Sequence, residues 1–193
     1  MATLAPLTDA NACVTPEQFD TLLERGAFKD VHVELFDGTI VFKMSQGRLH
    51  VLALAFLNEA LVTAMGGTSL KVSPQGTISM GDARPEPDLA LVEYSPEIAA
   101  RGFEGQDVRL AIEISVSTLA FDRLRKAALY SAQGIPEYWI ANPVARQIEI
   151  YRDPKEDGYG ILRVAGEDET IEALSLPGHI FRVADLMPDP DPA

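Results

Sequence analysis

The order of apolar and polar positions divides this chain into short helical and extended runs. Thr15-Pro16-Glu17-Gln18 predicts a helix start, with Thr15 as N-cap, Pro16 at the first helical position and Gln18 completing a capping box, and Gly26 ends the helix. Val31 to Leu35 and Thr39 to Lys43 are rich in β-branched and apolar residues and flank Asp37-Gly38, which predicts a β-hairpin. Within it Glu34 alternates with Val33 and Leu35, the pattern of a residue that faces solvent. Leu49 to Met65 is apolar on most faces and stops at Gly66-Gly67, as expected of a largely buried helix.

Extended pieces follow at Leu70 to Ser73 and Thr77 to Ser79, and Pro85 and Pro87 keep the chain extended before a predicted core strand, Asp88 to Val92. Ser95-Pro96 opens a short helix ending near Gly102. Arg109 to Ser115 alternates, so Leu110, Ile112 and Ile114 share one strand face and Glu113 and Ser115 the other. A helix from about Ala120 to Gln133 ends at Gly134, and Asp122 and Lys126 share one of its faces; by default they form an ordinary surface ion pair. Glu137 to Ala141 and Gln147 to Tyr151 read as strands around Asn142-Pro143. Tyr138 and Trp139 are expected in the core, although an aromatic residue can also stack on bases. Gly158, Gly160 and Gly166 suit a hairpin and edge segments, and Pro188 to Pro192 is expected to be disordered. The whole predicts a mixed α/β domain around a central sheet, with an ordered core over about 15–186.

Length and composition agree with one domain: 193 residues, 47% apolar and 23% charged. The longest apolar run, Val51 to Leu57, is far short of the roughly 20 residues of a membrane span, and no secretory leader pattern opens the chain. A single cysteine, Cys13, excludes an internal disulfide and a Cys-rich zinc site. A cytoplasmic location is therefore expected. The net charge of −13 argues against a broad basic surface for nucleic acid. Ten acids and three bases fall after Arg152, against nineteen and thirteen up to and including it, so about half of the excess lies in the last stretch.

Asp88 begins one core-like strand and Glu113 lies near the end of another, so two hard oxygen ligands can converge at neighbouring strand ends, a donor set that suits magnesium or manganese. The backbone carbonyl of Ile114 is a natural third protein ligand, and Lys126 is the candidate for orienting water or neutralising charge. A metal so held serves phosphodiester hydrolysis. The alternative is that the two acids are ordinary strand carboxylates. Other chemistries lack their signatures: there is no Gly-x-Ser-x-Gly, no phosphate loop or dinucleotide glycine pattern, and His32, His50 and His179 have no zinc spacing.

The succession Glu34-Leu35-Phe36-Asp37-Gly38, Pro87-Asp88, Ala111-Ile112-Glu113-Ile114-Ser115, Asp122, Lys126, Tyr130 and Gly134-Ile135-Pro136-Glu137-Tyr138-Trp139 resembles the Uma-two family, whose members are described as restriction endonucleases of the PD-(D/E)XK nuclease superfamily. The resemblance runs from Thr15 to about Leu186, and Glu137-Tyr138-Trp139 is its most distinctive block. It implies a restriction endonuclease-like core, with a central mixed sheet flanked by helices and Glu34, Asp88 and Glu113 lining one metal site. The superfamily lysine usually lies two residues after the second acid, where this chain has Ser115; the resemblance implies that Lys126 takes that role, with Asp122 holding it in place. Glu86 stands where the family often has Gln, which adds a negative charge beside the site, and His50 occupies a position where members often carry a histidine. The implied activity is a magnesium- or manganese-dependent endonuclease acting on DNA, as a homodimer if both strands are cut. The rival readings are a catalytically silent protein-interaction module with the same fold, and cleavage of RNA by the same residues.

Overall fold

The structure, a computed structural model, describes residues 13–43 and 46–189. Its centre is a six-stranded mixed sheet in the order β3 (Leu70–Pro74), β4 (Leu89–Glu93), β5 (Val108–Ile114), β6 (Glu137–Asn142), β7 (Gln147–Lys155) and β8 (Gly158–Gly166). Only β5 and β6 run parallel within it, joined by a helical crossover; every other neighbouring pair is antiparallel.

Strand alternation divides the core into two layers. Leu89 and Leu91 of β4 and Leu110, Ile112 and Ile114 of β5 face Ala53, Leu57, Leu61 and Ala64 of helix α2 (Arg48–Ala64). Ala90, Val92 and Ala111 point the other way, against Ala127 and Tyr130. Trp139 joins the first layer and Tyr138 the second, both with no exposed surface, so neither is available as a stacking surface. Glu137 is also fully buried and accepts hydrogen bonds from the Trp139 indole (3.0 Å), Arg152 Nε (2.8 Å) and the Leu174 amide (2.7 Å). This carboxylate ties β6 to β7 and to the C-terminal segment, a structural duty for the distinctive Glu-Tyr-Trp block.

The crossover from β5 to β6 contains α4 (Leu119–Phe121), a π-helical turn (Asp122–Lys126) and α5 (Ala127–Ala132), which run as one helical segment where a regular α-helix was expected. In the π turn the Ala127 amide donates to the Asp122 carbonyl, five residues back, which widens the helix by one residue.

The N-terminal elements form a separate flap. Helix α1 (Pro16–Glu24) has the expected capping box, the Gln18 amide donating to Thr15 Oγ1 at 3.3 Å and the Thr15 amide to Gln18 Oε1 at 3.0 Å. Strands β1 (Val33–Phe36) and β2 (Thr39–Phe42) form the hairpin, and Asp37 and Gly38 both have positive φ, as a type I′ turn requires. Val33 and Leu35 pack on Phe19 of α1. Two backbone bonds between Leu35 and Arg84, with Arg84 forked onto Asp20, fasten the flap to the segment leading into β4.

Elsewhere, α3 (Pro96–Arg101) follows its Ser95 cap as expected, whereas Thr77 to Ser79 makes only bridging contacts and no strand. The last part of the chain forms the hairpin β9 (Thr170–Glu172) and β10 (Ile180–Arg182). The end of the Pro-Asp tail lies outside the described residues. No helix among the described residues is long and apolar enough to cross a membrane.

Candidate active site

The register of β4 and β5 sets the centre of the site. Leu89 pairs with Ile112, so the next positions outward bring Asp88 opposite Glu113 at the ends of the two strands. Glu34 arrives from the flap. It is paired with Val41 across the hairpin, and its Oε1 accepts the Glu86 amide at 2.7 Å. Glu34 therefore does not face solvent as its alternation suggests; it is 2% exposed because its face of the flap closes over the segment leading into β4 and over Lys126.

Lys126 joins these acids. Its Nζ lies 2.8 Å from Glu113 Oε1 and 3.1 Å from Glu34 Oε1. Asp122 and Lys126 are both buried, so the expected surface ion pair is not what forms; the π turn delivers the ammonium inward to Glu113 and Glu34. Asp122 is held by the Thr118 hydroxyl at 2.6 Å and acts on Lys126 through its charge. Two further contacts lock this helix to the flap: Phe121 meets Phe36 edge to face at 5.4 Å, and Arg125 binds Asp37.

Asp88 has its own partners. Its Oδ2 accepts the Ile114 amide at 2.8 Å and lies 3.0 Å from His50 Nε2, while Oδ1 lies 3.2 Å from Lys43 Nζ. Ile114 thus meets Asp88 through its N–H. Lys43 also donates to the Glu86 carbonyl at 2.8 Å and lies 3.6 Å from Glu86 Oε1, and His32 Nδ1 lies 2.7 Å from the same oxygen, so the extra carboxylate of Glu86 has partners of its own. Lys43 is the residue that the sequence reading missed. The available signal was alternation along β2: Val41 and Lys43 share the hairpin face that carries Glu34.

Ser115, at the usual lysine position, is 1% exposed, and its hydroxyl has no hydrogen-bond partner of normal geometry. Tyr130 donates to Glu113 Oε1 at 2.8 Å. All the expected site residues except Ser115 line one cleft of about 220 Å³, together with Lys43, Val41, Val116, Thr118 and Phe121.

The electrostatics follow from burial. Desolvation pushes the Glu113 carboxyl up to about 8, more than Lys126 offsets, with the charges of Asp88 and Glu34 adding to the rise. Burial opposes the charge on Lys126, but Glu113 and Glu34 outweigh it and hold the ammonium protonated. Burial likewise works against the Asp88 carboxylate, and His50, Lys43 and the Ile114 amide overcome it, so this acid stays ionised well below the usual carboxylate range. The Asp122 pKa is raised, again first by burial.

The donor set suits a hard divalent cation in kind. In the cleft the carboxylates of Glu34, Asp88, Glu113 and Asp122 outnumber the ammonium groups of Lys43 and Lys126. No three His, Cys, Asp or Glu side chains among the described residues stand close enough to ligate one ion together. Lys43 on Asp88 and Lys126 on Glu113 hold the contacts that a cation would share or take over.

The model of the Uma2 family, described as "Putative restriction endonuclease", matches residues 16–184. Among solved structures, a putative nuclease belonging to DUF820 from Anabaena variabilis is similar over 90% of this chain and 97% of that chain, at 15% identity and a TM-score of 0.69, which shows a shared fold. The type IIG restriction endonuclease BpuSI aligns over 53% of this chain and 11% of that chain, at 16% identity and a TM-score of 0.36, too low to show one. No curated protein matches the chain.

Proposed function

This chain belongs to the Uma2 family, and from that premise we propose that it is a metal-dependent endonuclease hydrolysing phosphodiester bonds in DNA. The observation that carries the reading is the convergence of Asp88, Glu113, Glu34 and Lys126 in one cleft from four separate parts of the chain. Buried charges are costly, and a cluster of them without a structural duty is the mark of a functional site.

Asp88 and Glu113 would hold magnesium or manganese, and the Ile114 carbonyl would be the third protein ligand. The bound cation supplies charge that polarises the phosphoryl oxygens and activates water. The other roles fall to side chains. His50 and the Ile114 amide fix the Asp88 carboxylate, and Tyr130 fixes Glu113. Glu113, Glu34 and Asp122 keep Lys126 charged, which lets it neutralise the phosphate as the water oxygen bonds to phosphorus, the ester P–O bond breaks and the leaving oxygen takes up the proton that the water gives to solvent. A twofold homodimer belongs to this reading if both strands are cut.

Purified protein incubated with DNA and magnesium or manganese is expected to cut it, and Asp88→Ala and Glu113→Ala to abolish cutting. Absence of cleavage, or cleavage indifferent to both substitutions, sinks the reading. One observation favours a second reading, the silent interaction module: Lys43 and Lys126 already pair with the two acids. Calorimetric titration with manganese separates the two, because tight binding lost in Glu113→Ala is expected only of the nuclease.

A further inference from the structure

The depth of the site restricts what can reach it. Asp88 and Glu34 are 2% exposed and Glu113 and Lys126 3%. They lie in a cleft of about 220 Å³, below the roughly 300–1,000 Å³ of pockets that bury a drug-sized ligand. Such a cleft admits part of one nucleotide at a time. In an intact duplex the phosphates line the outside of a wide, stiff rod, and a cleft of this size takes in a backbone with its base only where the base is free of its partner. A strand that is already unpaired meets that condition.

Charge points the same way. Gripping a duplex without reading its sequence rests on many cations that displace counterions along the backbones, and this chain carries a net charge of −13. Two arginines of the helical turn beside the cleft are engaged within the protein, Arg123 with Glu149 and Arg125 with Asp37. The cleft itself offers a different kind of contact. Its walls include Val41, Val116 and Phe121, and Phe121 is held edge to face against Phe36, with ring centroids 5.4 Å apart and planes at 89°. Its charged groups include Lys126 and Lys43. A cleft that holds an apolar wall with an aromatic ring, two ammonium groups and the carboxylates of a cation site offers a single nucleotide a surface for its base and positive charge for its phosphate once the cation is bound, and needs no basic surface outside the cleft.

We infer that the substrate is an unpaired DNA strand, bound one nucleotide deep in this cleft with its base against Phe121 and its phosphate toward Lys126 and Lys43. The inference rests on the nuclease reading and narrows its substrate. Phe121 is then a binding residue that acts on affinity.

The test compares a fluorescein-labelled mixed-sequence strand with the same sequence in a duplex closed by loops at both ends, so that no end can fray. Binding is followed by anisotropy with calcium in place of magnesium. The strand is expected to bind about tenfold or more tightly than the closed duplex. Phe121→Leu, which keeps apolar bulk against Phe36, is expected to weaken strand binding by about tenfold, the loss of one base stack. Phe121→Trp should restore it, with unfolding midpoints of both variants near that of the wild type. A 2-aminopurine placed in the strand gives an independent reading in the wild-type protein, its emission changing when it stacks. Equal or tighter binding of the closed duplex, or strand binding and 2-aminopurine emission indifferent to Phe121, overturns the inference. If the closed duplex is nevertheless cut with manganese in an Asp88-dependent way, the nuclease reading survives that failure. If neither probe is bound or cut, both fall.

Discussion

Replacing Lys126 by Met keeps the apolar stem and removes the ammonium that bridges Glu34 and Glu113 at 3.1 and 2.8 Å. Both carboxylates are buried, so neither can turn to water for compensation. Deleting one partner of a buried pair typically costs about 3–5 kcal/mol, most of it the uncompensated charge left behind. In a domain of this size each kcal/mol lowers the unfolding midpoint by about 2–4 °C, which sets the expected loss at roughly 6–20 °C. Glu113 has an escape, since burial has already pushed its pKa up to about 8 and the lost ammonium raises it further. The protonated carboxyl carries no charge to bury, so the loss should be smallest near pH 6 and grow toward pH 9. Thermal unfolding of metal-free wild type and Lys126→Met, followed by circular dichroism across that range, measures it. Adding Glu113→Gln removes one orphaned acid and should return part of the stability, a coupling that a double-mutant cycle reads directly. A midpoint within about 2 °C of wild type at pH 9 would refute the claim that Lys126 is the buried counter-charge of this cluster.

Metal binding should depend on pH through the same group. Below about 8 the Glu113 proton competes with the metal, so apparent manganese affinity should rise toward pH 8 and level off above it, with about one proton released per ion at pH 6; calorimetry in buffers of different ionisation enthalpy would show a pH-independent affinity if this is wrong. In metal-free protein the two acids act in opposite directions. Asp88, with its lowered pKa, adds stability above the ordinary carboxylate range that is lost as pH falls through its native value, whereas Glu113, with its raised pKa, costs stability as pH rises from about 4.5 to about 8. Glu113→Gln should therefore flatten the decline of the midpoint between pH 5 and 8. Lys43→Met takes a positive charge away from Asp88 Oδ1, and manganese affinity should rise by roughly tenfold, limited by the freedom of the lysine stem to swing aside; unchanged affinity would remove Lys43 from the site's electrostatics. Glu137→Gln weakens the bond with Arg152 and the cluster around Trp139, for a loss of about 1.5–3 kcal/mol in unfolding with manganese binding unchanged.

Local pattern carried much of the fold. The capping box at Thr15, the Asp37-Gly38 turn and the alternation of Arg109 to Ser115 are decided by neighbours in sequence, and each formed as expected. What escaped was decided across the chain. The alternation around Glu34 is the same whether its outer face meets water or another part of the protein, and only the docking of the flap on Arg84 and Glu86 makes it a site residue. Asp122 and Lys126 have the spacing of an exposed pair, and no local signal announces the π turn that carries the lysine inward. Lys43 directly follows a hairpin strand as many surface lysines do; its reach to Asp88 depends on where the whole hairpin lands. Asp88 and Glu113 were legible as a pair because both sit at strand ends, and the register of β4 on β5 sets them opposite each other.

The central claim, that Asp88 and Glu113 hold a divalent cation, is tested most directly by a crystal soaked in manganese and measured at the manganese absorption edge. The account predicts one anomalous peak between the two carboxylates, with Lys43 withdrawn from Asp88 and Lys126 retained by Glu34. A cleft without anomalous density, or a peak bound to other residues while Lys43 remains on Asp88, would contradict it.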